Sequence, residues 1–441
     1  MMNEDTVSVV GLGYVGLPLA CKLAESGVKV IGIDKDEIRV SHIHAGRNPL
    51  KGEEPGLDEL LERVVSLGLL TASNNTSAIS GTDAVFVCVN TPMEEKRKPN
   101  LEPLENAIRD IGRNMANGTL ISIESTIPPG TMDGMVLPIL EEESGLKAGK
   151  DFLLVHCPER VMPGRLLLNM STYQRTLGGL DEESIKKARA YYSRLVDAEI
   201  HETDMLSAEI TKTVENAYRD VQIAFANEIA LACEELGADA FEIRKLVNTS
   251  PFRDMHYPGS GVGGHCIPKD PWLLVSSVSK DTTDLIPVAR KINDMMPIHL
   301  AQLARIAMAE AGVDIEGARV TILGLGFLKD SGDTRNSPAK PIIDEFIEDS
   351  DVVVHDPYAN EEYRAPLTKK LDEALDGSDC AIFVTDHTIY ETLTLDFISS
   401  RMRTKVIVDG RDLFDAEMCE NAGFYYSGIG KGRKSKRISK R

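Results

Sequence analysis

The amino-acid sequence predicts an α/β protein in which two doubly wound parallel sheets are joined by a long central helix and a helical middle domain. Two glycine-rich turns, at residues 11–16 and 324–326, each follow an apolar β-branched run and precede a helical pattern. Between them, residues 206–236 keep helical spacing over about eight turns. Strands that alternate with helices on both sides of one long helix are typical of two parallel-sheet domains with a helical connection.

The order of these elements divides the chain into four expected segments. Residues 1–204 form the first sheet domain, and residues 205–312 form a helical domain that contains a Gly- and Pro-rich loop. Residues 313–429 form the second sheet domain, and residues 430–441 form a basic, flexible tail. The loop spans residues 257–271 and is named here the cysteine loop.

Charge and composition exclude several classes of protein. The 441 residues include 49 basic and 69 acidic ones, a formal charge of −20, which gives no electrostatic basis for nucleic-acid binding. No apolar run approaches the ~18 residues of a membrane span, and the acidic start, with Glu4 and Asp5, does not fit a signal peptide. Seven dispersed cysteines suggest a reducing compartment. We therefore expect a cytoplasmic protein without membrane insertion.

The first glycine turn carries the pattern G-x-G-x-x-G, at Gly11, Gly13 and Gly16. Between a strand and a helix, the first glycine allows a tight turn, the second lets the backbone approach a pyrophosphate, and the third lets helix and strand pack closely. The N–H groups of the helix N-terminus attract phosphate. Asp34 ends the next strand, where a carboxylate binds a ribose 2′-hydroxyl and repels a 2′-phosphate. These features predict a Rossmann-like domain that binds NAD rather than NADP.

The second glycine turn is incomplete. Gly324 and Gly326 are followed by Lys329 where a third glycine would stand. A mononucleotide-sized ligand would suit this shorter pattern, and Lys329 and Arg335 would supply positive charge. The same two residues are equally well explained as surface charges on a loop.

The cysteine loop contains four glycines in six residues, directly before His265 and Cys266. Glycines let a backbone wrap closely around a ligand. A thiol next to Lys269, His265 and Asp270 has surroundings that lower a cysteine pKa and make it nucleophilic. No Cys or His pairs have metal-ligand spacing, so no metal site is expected. We predict that Cys266 is a nucleophile.

The predicted long helix carries a polar stripe of Glu209, Lys212, Asn216 and Arg219. An ion pair on a solvent-exposed face is the ordinary explanation of such a stripe. Two observations argue against it, because asparagine is a poor residue for the middle of a solvated helix and the helix becomes almost wholly apolar beyond Arg219. A buried lysine and asparagine need polar partners, which a ligand would supply.

The motifs of this chain resemble those of the UDP-glucose/UDP-N-acetylmannosamine 6-dehydrogenase family nearly from end to end. They are GLGYVGLP at Gly11, VNTP at Val89, ESTIPPGT at Glu124, CPERVMPG at Cys157, KTVENAYRD at Lys212, GSGVGGHCIPKDPW at Gly259 and GLGFLKDSGDTRNSP at Gly324. The CPER and GVGGHCIP stretches are similar to the N-acetylhexosamine branch. The resemblance implies UDP-N-acetyl-D-mannosamine as substrate, with UDP-N-acetylglucosamine and then UDP-glucose as alternatives.

The resemblance also implies the reaction, a four-electron oxidation of the sugar C6 alcohol to a carboxylate with two NAD per turnover. Cys266 would add to the C6 aldehyde to give a thiohemiacetal, whose oxidation gives a thioester that water hydrolyses. Lys212 and Asn216 would cradle the oxyanion, and Lys212 would exchange protons. Further catalytic candidates by the same resemblance are Asp270, which would orient a water molecule, and Thr126 and Glu159, which would lie near the nicotinamide and the hydrolytic water.

Ligand contacts follow from the same resemblance. Those to NAD would come from Gly11, Gly13, Tyr14, Val15, Gly16, Asp34, Arg39, Thr91 and Thr126. Those to the nucleotide sugar, with its UDP on the C-terminal half, would come from Arg160, Val161, Lys212, Asn216, Arg219, Arg253, Tyr257, Gly263, Phe327, Lys329 and Arg335. The family pattern has a lysine where this chain has Leu328, directly before Lys329. The long helix would form the core of a homodimer or a dimer-based oligomer.

Two other functions fit parts of the pattern. A β-hydroxyacid dehydrogenase has a similar fold and the same Lys-x-x-x-Asn spacing, but it needs no cysteine and lacks the C-terminal nucleotide-binding domain. A non-catalytic nucleotide-sugar sensor is the other alternative. The joint presence of Lys212, Asn216, Cys266 and Asp270 argues against a sensor.

Overall fold

The computed structural model describes residues 5–50, 54–94, 97–161 and 164–432, and most of the basic tail expected at residues 430–441 lies outside them. The chain forms two compact units. The first unit consists of residues 1–215 and 272–280, and the second of residues 216–271 and 281–441. Within the described ranges, no helix is both long enough and apolar enough to cross a bilayer.

The first unit contains an eight-stranded sheet in the order β3-β2-β1-β4-β5-β6-β7-β8. All neighbouring strands are parallel except β6 and β7, which are antiparallel. The strands are β1 Thr6–Val10, β2 Lys29–Ile33, β3 Leu70–Ser73, β4 Ala84–Val87, β5 Leu120–Ile123, β6 Leu153–His156, β7 Arg175–Gly179 and β8 Ile200–Asp204. The helices are α1 Gly16–Glu25, α2 Glu37–His44, α3 Leu57–Ser66, α4 Glu102–Asn114, α5 Leu137–Ser144, α6 Leu166–Thr172 and α7 Glu182–Tyr192.

The central strands of this sheet are covered on both faces. Every residue of β4 and β5 is buried, and two separate apolar clusters pack on the opposite faces of the sheet. Continuous aliphatic runs are typical of parallel strands that helices cover on both sides. The carboxyl ends of these strands are therefore the edge at which a ligand can bind.

The helix α8, Met205–Leu236, begins in the first unit and continues into the second. The second unit also contains a six-stranded, wholly parallel sheet in the order β11-β10-β9-β12-β13-β14. Its strands are β9 Arg319–Leu323, β10 Asp351–His355, β11 Leu367–Thr368, β12 Cys380–Phe383, β13 Val406–Asp409 and β14 Tyr425–Gly428. The remaining helices are α9 Ala240–Val247, α10 Asp270–Ser276, α11 Leu285–Glu310, α12 Ala339–Phe346, α13 Leu371–Leu375, α14 Thr388–Glu391, α15 Leu395–Ser399 and α16 Ala416–Asn421.

The predicted fold class is confirmed. Two Rossmann-like sheets with the same central strand order lie in separate parts of the chain, and the predicted long helix spans 32 residues. A proline inside α11, Pro297, leaves its helix continuous. Its ring packs on Gly261 of the cysteine loop, where a Cβ would lie 3.0 Å from the proline Cγ. The close approach of this helix therefore requires a glycine in the loop.

Candidate functional site

The first glycine turn lies at the point where the strand order of the first sheet reverses. Gly11 has φ +90°, and a Cβ there would lie 2.8 Å from the carbonyl oxygen of Cys88, just beyond β4. A Cβ on Gly16 would lie 1.8 Å from the carbonyl oxygen of Gly11. Both positions therefore exclude any side chain. This geometry leaves the backbone open to a pyrophosphate at the start of α1.

The carboxylate of Asp34 is buried and fixed at the end of β2. Its Oδ2 accepts hydrogen bonds from the Leu12 amide at 2.8 Å and from the Arg39 guanidinium at 2.9 Å, and its Oδ1 accepts one from the Asp36 amide at 3.0 Å. A fixed anion at this edge favours a ribose diol over a phosphorylated ribose. The predicted preference for NAD rests on this carboxylate.

The loops after β4 and β5 are tied together at the same edge of the sheet. The hydroxyl of Thr91 donates to the carbonyl of Thr126 at 2.7 Å, and the hydroxyl of Ser125 donates to the carbonyl of Val89 at 2.6 Å. The predicted cofactor contacts of the first unit, including half-buried Tyr14 at the start of α1, therefore lie along one edge.

Behind this edge lies a buried charge cluster of Glu124, Glu159, Arg175 and Tyr192. The guanidinium of Arg175 lies 2.5 Å from Oε2 of Glu159 and 3.5 Å from Oε2 of Glu124. Tyr192 donates to Oε1 of Glu124. Burial raises the pKa of Glu124 to about 7, although Arg175 and Tyr192 partly offset it. Of these residues, only Glu159 was predicted as a site residue.

Two polar residues of the predicted stripe, Glu209 and Lys212, are buried in the first unit. The carboxylate of Glu209 is buried and accepts hydrogen bonds from the amides of Gly130 and Met132, each at 2.8 Å. Burial raises the pKa of Glu209 to about 7. This residue therefore stabilises the start of a neighbouring helical segment and is not part of a solvated ion pair. Lys212, one turn further along α8, is also buried, at 8% exposure.

Arg160 has a full set of protein partners. Its guanidinium binds Glu215 and donates to the carbonyl of Gln174 at 2.7 Å and to the hydroxyl of Thr176 at 2.9 Å. Its neighbour Val161 is half-buried and packs on an apolar cluster. A ligand that contacts Arg160 would share the guanidinium with these groups.

Cys266 differs from the other cysteines in its exposure. All seven lie in the described residues, and Cys266 is the one that is exposed, whereas Cys88 is half-buried and the other five are buried. Burial raises the pKa of the Cys21 thiol to about 12. Cys266 is therefore the accessible thiol, as expected of a nucleophile.

The cysteine loop is anchored to other parts of the second unit. The Gly259 amide donates to Asn227 at 2.9 Å, and the Gly264 amide donates to the carbonyl of Arg335 at 2.8 Å. Phe327 packs closely against the loop. A Cβ added to Gly263 would lie 2.3 Å from the Cβ of Phe327, so only glycine fits at this position. These contacts place the predicted residues Gly263, Phe327 and Arg335 beside one another.

Asn216 and Asp270 are in direct contact within the second unit. Nδ2 of Asn216 donates to Oδ2 of Asp270 at 2.6 Å, and Nζ of Lys269 lies 3.3 Å from Oδ1 of the same carboxylate. The carbonyl of Cys266 accepts hydrogen bonds from the amides of Lys269 and Asp270, at 3.0 and 2.8 Å. These two backbone hydrogen bonds form a single turn that holds Cys266 close to Asp270.

His265 does not supply positive charge to the thiol at neutral pH. Burial lowers its pKa to about 4, and the nearby Lys269 and Arg335 lower it further. The imidazole is therefore neutral. His265 therefore contributes no positive charge to the surroundings of Cys266, and the lowered thiol pKa expected from the sequence stays a prediction.

The backbone amides of the second glycine turn donate to the buried carboxylate of Asp356. Oδ2 of Asp356 accepts hydrogen bonds from the amides of Leu325 and Gly326, at 2.8 and 2.7 Å, and lies 3.2 Å from Nε2 of His387. Burial alone would raise the pKa of Asp356, but these hydrogen bonds outweigh it and bring it to about 2. The carboxylate of Asp356 thereby holds the second glycine turn in place, as that of Asp34 holds the first.

The remaining predicted contacts lie nearer the surface of the second unit. Lys329 pairs with Glu391 at 2.5 Å, and Nε of Arg335 donates to Asp333 at 2.9 Å. The others are Arg219, which is exposed on α8, Arg253, which is exposed in a loop, and Tyr257, whose ring lies 3.5 Å from the guanidinium carbon of Arg244.

Arg411 lies beside the cysteine loop but was not among the residues predicted from the sequence. It follows β13, its Nε donates to the carbonyl of Val384 at 2.8 Å, and a Cβ on Gly259 would lie 3.1 Å from its guanidinium. A basic residue two positions after the buried strand β13 of a parallel sheet was the available signal.

Comparison with known proteins covers almost the whole chain. Models of the UDP-glucose/GDP-mannose dehydrogenase family match residues 5–196 as NAD binding domain, 206–295 as central domain and 321–416 as UDP binding domain. The chain is 38% identical to UDP-N-acetyl-D-mannosamine dehydrogenase of Pyrococcus horikoshii, over 97% of this chain and 99% of the relative.

Solved structures agree with these matches. The structure of the Pyrococcus horikoshii enzyme has a TM-score of 0.90 at 38% identity, covering 97% of this chain and 100% of the other. NDP-N-acetyl-D-galactosaminuronic acid dehydrogenase from Methanosarcina mazei has a TM-score of 0.86 at 37% identity, covering 97% and 95%.

Proposed function

The chain belongs to the UDP-glucose/GDP-mannose dehydrogenase family and is an NAD-dependent nucleotide-sugar dehydrogenase, and we propose that its substrate is UDP-N-acetyl-D-mannosamine, oxidised to UDP-N-acetyl-D-mannosaminuronate. The family resemblance inferred from sequence motifs is confirmed. The single observation that carries the proposed chemistry is the exposed Cys266 in a glycine loop next to the Asn216–Asp270 pair. The names of several relatives support the choice of sugar.

The first glycine turn and Asp34 fit NAD. Positions 11 and 16 exclude any side chain, and the carboxylate of Asp34 stands where a ribose diol needs an acceptor. NAD, when bound, would accept the hydride that leaves C6 in each of the two oxidations, so that one NAD is used per hydride. The groups proposed to hold it are the glycine turn, Tyr14, Val15, Asp34, Arg39, Thr91 and Thr126.

The thiol of Cys266 makes the second oxidation possible. After the alcohol has lost its first hydride, the thiolate adds to the C6 aldehyde, and a carbon–sulfur bond forms as the carbonyl becomes an oxyanion. The thiohemiacetal carbon still carries one hydrogen and can lose a second hydride, which leaves a thioester. Water then breaks the carbon–sulfur bond, and the products are the carboxylate and the free thiol.

Polar residues of α8 and of the following segments would assist these steps. We propose that Lys212 and Asn216 stabilise the oxyanion and that Lys212 takes the proton of the C6 hydroxyl. Asp270, held by Asn216, would orient a water molecule, and Glu159 would accept a proton during hydrolysis. Thr126 is proposed to lie near the nicotinamide.

The substrate is proposed to bind through residues of both sheet-containing halves of the chain. The match of residues 321–416 to a UDP binding domain supports the UDP contacts. Those contacts are Gly263, Phe327, Lys329 and Arg335, and the proposed contacts to the remainder of the nucleotide sugar are Arg160, Val161, Lys212, Asn216, Arg219, Arg253 and Tyr257.

The substrate assignment is tested by the yield of NADH from a panel of nucleotide sugars. We expect UDP-N-acetyl-D-mannosamine to give two NADH per sugar, with a higher kcat/KM than UDP-N-acetylglucosamine, UDP-N-acetylgalactosamine or UDP-glucose. A higher kcat/KM for another of these nucleotide sugars would assign that sugar as the substrate instead. One NADH per sugar from the wild-type enzyme would contradict the thioester route and favour a one-step dehydrogenase.

We further propose that the enzyme is a homodimer, or an oligomer built from dimers, through the surface of α8 and α11. Large apolar side chains are exposed there: Tyr218, Phe225, Leu285, Val288 and Met295. A cavity of about 450 Å³ lined by both helices and by residues 252–256 adds to this apolar surface. Apolar surface of this kind is typical of a protein–protein interface.

A charge in the middle of this surface should prevent assembly. We expect Phe225→Asp to have the mass of a single chain by light scattering, because a desolvated carboxylate would face apolar side chains. Met418→Asp, at an exposed apolar residue of α16, is the matched control and should keep the wild-type mass. An unchanged mass of Phe225→Asp, or a monomeric wild-type protein, would refute the proposed interface.

The enzyme is proposed to act in the cytoplasm. In the described residues, which include all seven cysteines, no disulfide is formed, and a thiol nucleophile must remain reduced to react.

A further inference from the structure

The buried charge cluster contains a cation that the proposed mechanism does not use. We propose that Arg175 is a positioning residue, which holds the carboxylate of Glu159 in place for thioester hydrolysis and is itself held by Glu124. This inference rests on the proposed function, because that function assigns Glu159 to hydrolysis. Glu124 follows β5 directly, and Arg175 is the first residue of β7.

Both carboxylate oxygens of Glu159 have fixed partners. Oε1 accepts a hydrogen bond from the Arg160 amide at 2.7 Å, and Oε2 lies 2.5 Å from a terminal nitrogen of Arg175. In the described part of the chain, Arg175 is the one cation within ion-pair distance of Glu159. Each oxygen keeps a second lone pair for a water molecule. The orientation of Glu159 therefore depends on where the guanidinium lies.

The guanidinium of Arg175 has two further neighbours, and its contacts with the carboxylates are ion pairs without hydrogen-bond geometry. Its other terminal nitrogen faces Oε2 of Glu124 at 3.5 Å, and the ring of Tyr192 lies 5.6 Å from its central carbon. Tyr192 and Ser122 both donate to Oε1 of Glu124, so this carboxyl is held as well. Arg175, Glu124 and Glu159 are all nearly inaccessible to solvent.

One guanidinium faces two carboxyl groups, so the cluster has one negative charge too many when both are ionised. Desolvation makes such an imbalance costly. Burial raises the pKa of Glu124 to about 7, so this carboxyl binds a proton more readily than an ordinary glutamate does. The closer contact of Arg175, at 2.5 Å, is with Glu159, and its contact with Glu124 is 3.5 Å. The geometry therefore pairs Arg175 with Glu159 and gives Glu124 a structural role.

The decisive experiment replaces the cation and its second carboxyl partner together. In the double variant Glu124→Gln/Arg175→Gln, neutral amides replace both side chains, so no unpartnered Glu124 carboxylate remains and Glu159 alone loses its counter-ion. With UDP-N-acetyl-D-mannosamine and excess NAD, we expect a burst of about two NADH per active site, followed by steady-state turnover about 30-fold slower than wild type. Mass spectrometry of the intact protein should detect the thioester, and KM should fall with kcat rather than rise, because hydrolysis of the thioester limits turnover.

A second variant covers the case in which the double variant does not fold. Arg175→Lys keeps the charge but cannot contact both carboxyl groups with a planar fork, so we expect an intact burst and steady-state turnover about tenfold slower. Arg403→Lys alters an arginine that pairs with Asp379 in the second unit and is the matched control, expected to behave as wild type.

The outcomes separate a positioning role from a structural one. The role of Arg175 would be overturned if either Arg175 variant had the wild-type steady-state rate. It would also be overturned if the burst and the steady-state rate fell in equal proportion. A wild-type enzyme that forms no NADH from any UDP-hexosamine would overturn the proposed function and this inference together.

Discussion

Replacement of Cys266 with alanine should lower the rate of NADH formation from the nucleotide sugar by at least about 10³-fold. Alanine has no lone pair to add to the C6 aldehyde, so the second hydride would have to leave a carbon that lacks a bound nucleophile. Any aldehyde formed in the first step is then reduced back to the alcohol. The measurement is steady-state NADH absorbance with UDP-N-acetyl-D-mannosamine, together with NAD binding to show that the first unit is intact.

Cys233→Ala is the matched control for this loss. Cys233 lies on α8, is buried, and has a raised pKa because of burial. Its replacement should leave the rate close to wild type. Normal turnover in Cys266→Ala would refute the thioester route, and activity of that variant on a small β-hydroxyacid would favour a one-step dehydrogenase.

The second large effect is expected at Lys212. Substitution of Lys212 by methionine should lower kcat by roughly 10²- to 10⁴-fold, because the side chain keeps its length but loses the proton-transfer group and the positive charge near the oxyanion. Lys212 is 8% exposed on α8, one turn before Asn216. The KM for the nucleotide sugar should change far less than kcat, which initial-rate kinetics will show.

Lys291→Met provides the comparison for this variant. Lys291 is exposed on α11 and is not among the residues proposed to bind substrate. Its replacement should leave kcat and KM unchanged within about twofold. If Lys212→Met kept wild-type kcat, Lys212 would have no part in proton transfer or oxyanion stabilisation.

Local sequence patterns predicted the central strands and both glycine turns. Strands β4 and β5 consist of buried aliphatic residues and small or aromatic ones, which leave a clear signal in the sequence. Strand β8, by contrast, lies at the edge of its sheet, and its residues Ile200–Asp204 are mostly exposed and polar. An edge strand has neither a continuous apolar run nor a regular alternation, so the sequence did not predict it.

Side-chain partners far apart in the sequence could not be predicted. The contact of Arg175 with Glu124 and Glu159 depends on the pairing of β5, β6 and β7, which no local spacing encodes. The neutral state of His265 likewise depends on its burial and on the approach of Arg335 from a distant segment. The Gly- and Pro-rich loop around Cys266, on the other hand, is a local pattern, and it distinguished this cysteine from those in apolar segments.

The anchors of the cysteine loop have a thermodynamic consequence. The Gly264 amide donates to the carbonyl of Arg335, and the Gly264 carbonyl accepts from the side chain of Asn336, in the same segment that is proposed to bind UDP. A nucleotide that binds only when this segment is ordered must also stabilise the loop, by the linkage between ligand binding and local opening. Amide hydrogens of the loop should therefore exchange with solvent deuterium more slowly when UDP alone is present. Binding of the nucleotide is therefore coupled to ordering of the loop that carries Cys266.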